Sequence, residues 1–373
     1  MTTYLDFCAT TPVSKPVAEL VHQFMREEFG NAGSRTHEFG LNAKRAVEVA
    51  REQVARVVEA DKSEVIFTSG ATESNNIAIL GLVDFAAESD KKHIISSRIE
   101  HKAVIEPLEH LESKGFEITY ISVGENGLID TDELKLALRH DTLLVTLMHV
   151  NNETGCIQPI KEICELLSDH DAYFHVDAAQ SYGKLSEELK NSRIDMISAS
   201  GHKLYAPKGV GALVTRRRGF TKIPLKPLMY GGGQEKGLRP GTLAVPLIAG
   251  FGLACEIAYD EAKDWLKQTA FKKNVLKAEL SELGAIENGE NTSPYILNFS
   301  IPGINSEAAM VSFKGLIAVS NGSACTASSY KPSHVLTAMN LGHERIMGAI
   351  RLSLSPNSDI PGGDIVAALK RLI

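Results

Sequence analysis

A succession of short β-rich runs, each separated from the next by a helix-length pattern, constrains this chain more than any other feature. Glu64–Thr68, His93–Ser96, Glu117–Ile121, Leu143–Met148, Tyr173–Val176 and Gly211–Val214 read as strands, and helical patterns such as Leu134–Leu138 and Ile160–Leu167 fall between them. Parallel strands need crossover connections, so this alternation predicts an α/β fold with a mostly parallel sheet covered on both faces. Ligands of such sheets collect in the loops just beyond the C-terminal ends of the strands. Ala43, Val47, Ala50, Val54 and Val57 recur at helical spacing with Arg and Glu between them, which marks one amphipathic covering helix. Pro16 suits the first turn of another, over Val17–Phe29.

At 373 residues the chain exceeds what one hydrophobic core usually organises. A long helical stretch, Leu253–Leu280, leads into a region with fewer strands, Tyr295–Phe299 and Ile350–Leu354. We therefore expect a large domain over residues 17–258 and a smaller α/β domain formed by 1–16 and 259–373. The alternation in Arg351-Leu352-Ser353-Leu354 predicts an edge or one-faced strand, and Asp364 is placed to cap the final helix.

A hydrophobic content of 43% and a net charge of −7 suit a soluble globular protein and argue against direct binding to nucleic acid or a membrane surface. The one basic run, Arg216-Arg217-Arg218, reads as a solvated turn. No segment resembles a membrane span or a signal peptide, so a cytoplasmic protein is expected. The five cysteines, Cys8, Cys156, Cys164, Cys255 and Cys325, form no Cys-x-x-Cys pair and indicate neither a disulfide framework nor a metal site.

The predicted strand ends carry the chemistry. Ser198-Ala199-Ser200-Gly201-His202-Lys203 offers one amine among hydroxyl and imidazole groups, the setting of a lysine that forms a Schiff base with a phosphorylated aldehyde. Ser69-Gly70-Ala71-Thr72 places free N–H groups and a hydroxyl at a helix start, where a phosphate is favoured. Asp177 follows an apolar run and can pair with a protonated pyridine nitrogen; His101 follows another and can stack on a flat ring or move protons; Asn152 supplies an amide in the same layer. Taken singly, each has a plainer meaning: a solvated lysine, a helix cap, a structural histidine, a turn-forming asparagine. Taken together they specify pyridoxal 5'-phosphate (PLP). In Asn321–Ser329, small and polar throughout, Cys325 lacks the apolar neighbours of a structural cysteine and reads as a reactive thiol. Arg351 can hold a substrate carboxylate through its fork.

The ordered set Tyr4-Leu5-Asp6, Ala9-Thr10-Thr11-Pro12, Phe67–Ser74, Glu100-His101-Lys102-Ala103, His149–Glu153, His175-Val176-Asp177-Ala178, Gly201-His202-Lys203, Gly231-Gly232-Gly233 and Gly322–Thr326 resembles the cysteine desulfurases of the NifS/IscS type, within the class V aminotransferases. The resemblance spans nearly the whole chain. It implies the PLP-dependent aspartate aminotransferase-like fold (fold type I), and an enzyme that converts L-cysteine to L-alanine with a persulfide on Cys325 for a protein acceptor. Lys203 would carry the cofactor and shuttle protons, and Ala71, Thr72, Gln180, Ser200 and His202 would hold its phosphate and ring. Asp177 would pair with the ring nitrogen, and His101 would stack on the ring and assist the Cys325 thiol. Asn152 and Arg351 would bind substrate, and Thr242 would reach the phosphate of the other subunit in a homodimer. Two departures stand out: Cys8 where a small residue such as serine is common, and Pro240 where serine is usual. Lys331–Leu336 resembles the desulfurases of DNA phosphorothioation systems, an alternative destination for the sulfur to iron–sulfur assembly. A selenocysteine lyase or another class V aminotransferase, and a non-catalytic scaffold of a sulfur-transfer complex, are the competing readings.

Overall fold

A computed structural model describes residues 2–320 and 332–373. The chain opens with a two-residue strand, β1 (Thr3–Tyr4), and two helices, α1 (Lys15–Arg26) and α2 (Glu38–Val57). Strands and helices then alternate as β2 (Val65–Thr68), α3 (Ala71–Leu80), α4 (Val83–Ser89), β3 (His93–Ser97), α5 (Lys102–Glu112), β4 (Glu117–Ile121), α6 (Thr131–Ala137), β5 (Thr142–Met148), α7 (Ile160–Leu166), β6 (Tyr173–Asp177), β7 (Met196–Ser200) and β8 (Gly211–Thr215). These seven strands form one sheet in the order β2-β8-β7-β6-β5-β3-β4. All adjacent pairs are parallel except those of β8, which runs against both β2 and β7. Two reversals restore the direction of β2. Six strands therefore end at one edge of the sheet, and β8 starts there.

The sheet separates two apolar clusters. One face carries Phe67, Ile95, Val145, Leu147, Phe174, Val176 and Ile197 against α1, α2 and α8 (Val245–Ser281). The other carries Ile66, Ile94, Leu144, Met196 and Leu213. This second face changes character along the strands. Two residues beyond Ile94, Leu144 and Met196 stand Ser96, Thr146 and Ser198, all buried, with His175 and Asp177 on β6. Ser96 donates to the Thr146 carbonyl at 2.9 Å, and the His175 ring bridges Thr146 Oγ1 at 2.8 Å and Ser198 Oγ at 2.9 Å. The polar half of the face is thus cross-linked where the strands end.

Helix α8 begins eight residues before the expected Leu253, with Pro246 in its first turn where the missing N–H costs nothing. The expected domain boundary at 258/259 falls inside this continuous helix. Its first half packs on α1 and α2, where Gly252 lies so close to Ala50 that a Cβ would sit 2.5 Å from the Ala50 Cα. Its second half gives Leu276 and Leu280 to a separate core with Leu5, Leu297, Phe299, Ile350 and Leu352. That core rests on β9 (Ile286–Glu287), β10 (Ile296–Ser300) and β12 (Ile350–Ser353), with helices α9 (Ser306–Ser312) and α12 (Gly362–Lys370), while β11 (Ile317–Ala318) pairs in parallel with β1; α10 (His334–Ala338) and α11 (His343–Met347) give Val335, Leu336 and Ile346 to the first cluster.

Three local expectations are corrected. All four residues of β12 are buried, so the strand is not one-faced; Asp6 and Ser320 bridge to it on the side away from β10. Asp364 lies within the first turn of α12 and does not cap it, because the N-cap position is Pro361. The basic run is no solvated turn. Arg216 is only 7% exposed and donates to the carbonyls of Val58, Leu189, Asn191 and Ile194, and Arg218 pairs with Asp195 at 2.7 Å. The guanidinium fork matches a cluster of converging carbonyls. We expect Arg216→Met to lower stability by about 3 kcal/mol, because four buried acceptors lose a charged donor. Urea unfolding at fixed protein and cofactor concentration measures this.

Candidate active site

The edge where the six strands end borders a cavity of about 700 Å³. Ala71, Thr72, His101, Asn152, Asp177, Gln180, Ser200, His202, Lys203 and Arg351 all line it. Of the residues expected at the site, the described structure leaves Thr242 outside: it is exposed and does not line the cavity in this chain. Cys325 lies outside the described residues.

One end of the cavity is a helix start. Gly70 has φ +151°, open only to glycine, and precedes α3, whose first N–H groups are left without helical partners. Gly211 must also be glycine: a Cβ there would sit 2.6 Å from the Gly70 Cα and 2.4 Å from the Ala199 carbonyl. This contact presses the cradle against the end of β7, beside Ser200. Glu73 fixes the loop by accepting from the Ser69 N–H at 2.6 Å and from Arg239 at 2.8 Å. Burial pushes its carboxyl up, but these donors outweigh it and hold the carboxyl below its ordinary value. The same ion pair ties down the segment leading to Thr242.

Asp177 ends β6 at the floor of the cavity. One carboxylate oxygen accepts from Asn75 Nδ2 at 2.8 Å and the other from the Ala179 N–H at 2.9 Å. Asn75, on α3, was not singled out by the sequence; only its helical phase, four residues after Ala71, points it toward the sheet. His175, two residues before Asp177, was likewise missed as a supporting group. Burial brings its pKa down to about 4, so it is the neutral donor–acceptor link between Thr146 and Ser198.

His101 caps α5, accepting the Ala103 N–H on Nδ1 at 3.1 Å. Burial and the nearby Lys203 lower its pKa, against the opposing pull of Asp177. A neutral ring with Nδ1 as acceptor carries its proton on Nε2. His101 therefore meets the cavity as a hydrogen-bond donor. Glu100 beside it is fully buried, accepts from Ser97 Oγ at 2.6 Å, and is pushed up to about 8 by burial. Its carbonyl accepts from the His334 ring at 2.9 Å, at the start of α10.

Lys203 follows β7 in a single 3₁₀ turn, and its Nζ donates to the Cys8 carbonyl at 2.9 Å. Gln180 Nε2 donates to the same carbonyl at 3.0 Å, while its Oε1 is buried without a partner. His202, whose carbonyl accepts from Thr11, is brought down to about pKa 4 by burial and by Lys203. Arg351 comes from β12. It is 4% exposed; Nη2 meets Asp6 at 2.7 Å, Nη1 donates to the Asn152 carbonyl at 2.8 Å, and Nε has no partner. The neighbouring Asn151 is the turn former, accepting from the Glu153 and Thr154 N–H groups, which leaves Asn152 to line the cavity.

The Aminotransferase class-V model matches residues 3–362. The chain belongs to the class V aminotransferases. Its large sheet, reversed strand and strand-end cavity are those of the aspartate aminotransferase-like fold, fold type I, of this family. The cysteine desulfurase IscS of Escherichia coli (strain K12 / DH10B) is 46% identical over 356 residues, which cover 94% of this chain and 87% of that protein. Among solved structures, DndA from Streptomyces lividans is 50% identical with a TM-score of 0.83, covering 95% of this chain and 99% of its own. SspA, solved in complex with cysteine, is 40% identical with a TM-score of 0.84 over 96% of this chain and 100% of its own.

Because the neutral form of His175 is native, its contribution to stability is complete above its ordinary value of 6.5 and is lost as pH falls toward 4. We expect His175→Gln, which keeps hydrogen-bonding groups but cannot titrate, to be less stable at neutral pH yet to lose stability less steeply between pH 6.5 and 4, by up to about 1 kcal/mol per pH unit. Urea unfolding across that range reads the difference in slope.

Proposed function

We propose that this class V aminotransferase is a PLP-dependent cysteine desulfurase that works as a homodimer. It converts L-cysteine to L-alanine and passes the sulfur, as a persulfide on Cys325, to a protein acceptor. The observation that carries this reading is the convergence of Lys203, Asp177 and the Gly70 helix start on one cavity from three strand ends. The cavity's chemistry fits the cofactor. A carboxylate fixed by two donors suits a protonated ring nitrogen, a helix start with Thr72 and Ser200 suits a phosphate, and the unpartnered Gln180 Oε1 suits a ring hydroxyl. When bound, PLP supplies an electron sink for the pair left as the substrate Cα–H bond breaks.

The residues divide the remaining work. Lys203 holds the cofactor, then takes and returns the Cα proton. Asp177, fixed by Asn75 and the Ala179 N–H, pairs with the ring nitrogen. Ala71, Thr72, Ser200 and His202 hold the phosphate, with Thr242 supplied by the other subunit, and Gln180 orients the ring. Arg351 and Asn152 take the substrate carboxylate, for which Arg351 keeps Nε unpartnered while Asp6 holds Nη2. His101 covers the ring and donates Nε2–H to sulfur, lowering the cost of a thiolate by hydrogen bonding. In the transfer the substrate C–S bond breaks, a bond from the Cys325 sulfur to the substrate sulfur forms, and protons replace sulfur on the substrate carbon. The Lys331–Leu336 segment and the 50% identity to DndA support thiolation of nucleic acid as the destination over iron–sulfur assembly, with a protein acceptor between enzyme and nucleic acid.

The test is alanine and sulfide release from L-cysteine by the PLP-loaded protein in the presence of a thiol reductant. Cys325→Ser and Lys203→Ala are expected to abolish both products, and Arg351→Met to raise KM roughly 100-fold, the loss of about 3 kcal/mol of charge-assisted binding. Undiminished sulfide release by Cys325→Ser overturns the persulfide route.

A further inference from the structure

Beside Lys203 lies a second, much smaller cavity. Phe7, Cys8, Tyr205, Trp265 and Tyr295 wall it, and two lysines line it, Lys203 and Lys184. None of the roles assigned above uses Lys184. The local fold brings it there deliberately in physical terms. Gly183, at φ +75°, lies against Leu204, the residue after Lys203; a Cβ would fall 2.7 Å from the Leu204 side chain. The adjoining backbone is pinned by Lys184 N–H to the Ser181 carbonyl at 2.9 Å and by the Tyr182 hydroxyl to the Val54 carbonyl at 2.7 Å. Lys184 Nζ stands 4.5 Å from the centre of the Tyr295 ring, and the Tyr295 hydroxyl donates to the Gln180 carbonyl at 2.9 Å. Gln180 in turn shares the Cys8 carbonyl with Lys203 Nζ.

Among the described residues no carboxylate pairs with the half-buried Lys184. Its positive charge is held by an aromatic face. Burial, and Lys203 in the same direction, bring its pKa down to about 8, against the opposing effect of Cys8, so it is still charged at neutral pH. Among the described residues, the charged and titratable groups lining the two cavities with Lys203 are Asp177 at the end of β6, Glu73 on α3, His101 at the start of α5, His202 beside it, Lys208 ahead of β8, Tyr205, Tyr295, Arg351 on β12, Cys8 and Lys184. His101 and His202 are neutral, and Asp177 and Arg351 are each engaged with their own partners. Lys184 is the like charge that shares the small cavity with Lys203.

We propose that Lys184 is a positioning residue for the reaction, whose positive charge on the Tyr295 ring disfavours protonation of Lys203 and keeps that nitrogen in its basic form. Two like charges lining one small cavity oppose each other, so a charge on either makes protonation of the other less favourable. The inference rests on the assignment of Lys203 as the cofactor lysine.

The test is a pH titration of the visible absorption of PLP-loaded wild type, Lys184→Met and Lys184→Arg, with circular dichroism and cofactor content checking fold and loading. In K184M the protonation midpoint of the Lys203 linkage is expected to rise by about one pH unit, roughly tenfold in proton affinity, with K184R remaining near wild type. An unchanged or lowered midpoint in loaded K184M overturns the role of Lys184 and leaves Lys203 in place. A wild type that takes up no PLP at Lys203 overturns both. Lys184→Gln, which removes the charge but keeps polarity, gives the same reading where the methionine variant does not fold.

Discussion

A carboxylate buried at the end of a central strand is tolerated only when its charge is matched and its lone pairs are filled, and Asp177 sets that requirement for this molecule. Asn75 and the Ala179 N–H meet part of it. The rest of the architecture follows from placing those donors. Asn75 needs α3 to start tightly after β2, which needs Gly70 and Gly211 in contact, which in turn needs β8 to run against its neighbours so that its first residue lies at the edge where the others end. The phosphate-type cradle and the carboxylate are thus one construction.

The polar half of the sheet face serves the same end. Apolar side chains at the starts of β3, β5 and β7 give way to Ser96, Thr146 and Ser198 toward their ends, and His175 joins them in a neutral form that burial enforces. A charged imidazolium there would compete for Asp177. Keeping His175 neutral leaves the carboxylate's charge directed into the cavity.

Most of the architecture was legible because it depends on period and on loop position. Short β-rich runs spaced by helices fix a mostly parallel sheet, and the strand ends then gather Lys203, Asp177, His101, Thr72 and Asn152. What escaped depends on satisfaction of polar groups across long sequence separations. Nothing in Arg216-Arg217-Arg218 states that four carbonyls from distant loops converge on Arg216. Nothing in Glu100-His101-Lys102-Ala103 states that the Ala103 N–H takes the Nδ1 lone pair and so decides which nitrogen faces the cavity. The reversal of β8 is equally silent in its apolar run, since strand direction is set by pairing rather than by composition.

The N-terminal segment shows how the two sheets are held to one chemical task. Leu5 is buried in the second core, and the Asp6 carboxylate holds Arg351. The Cys8 N–H donates to Ser353 Oγ on β12, while the Cys8 carbonyl accepts from Lys203 and Gln180 at the large sheet. Thr11 donates both N–H and hydroxyl to the His202 carbonyl, at 2.8 and 3.0 Å. Seven residues therefore span from the arginine that can take a carboxylate to the lysine that can take an aldehyde, with hydrogen bonds to both ends. An amino acid bound between Arg351 and Lys203 needs that distance constant, because misplacing the reacting carbon by about 1 Å costs roughly two orders of magnitude in rate. The same strap makes Cys8 a backbone ligand first: its carbonyl carries the two contacts to the large sheet, which any residue at this position would supply, so the thiol is free to vary while the strap is not.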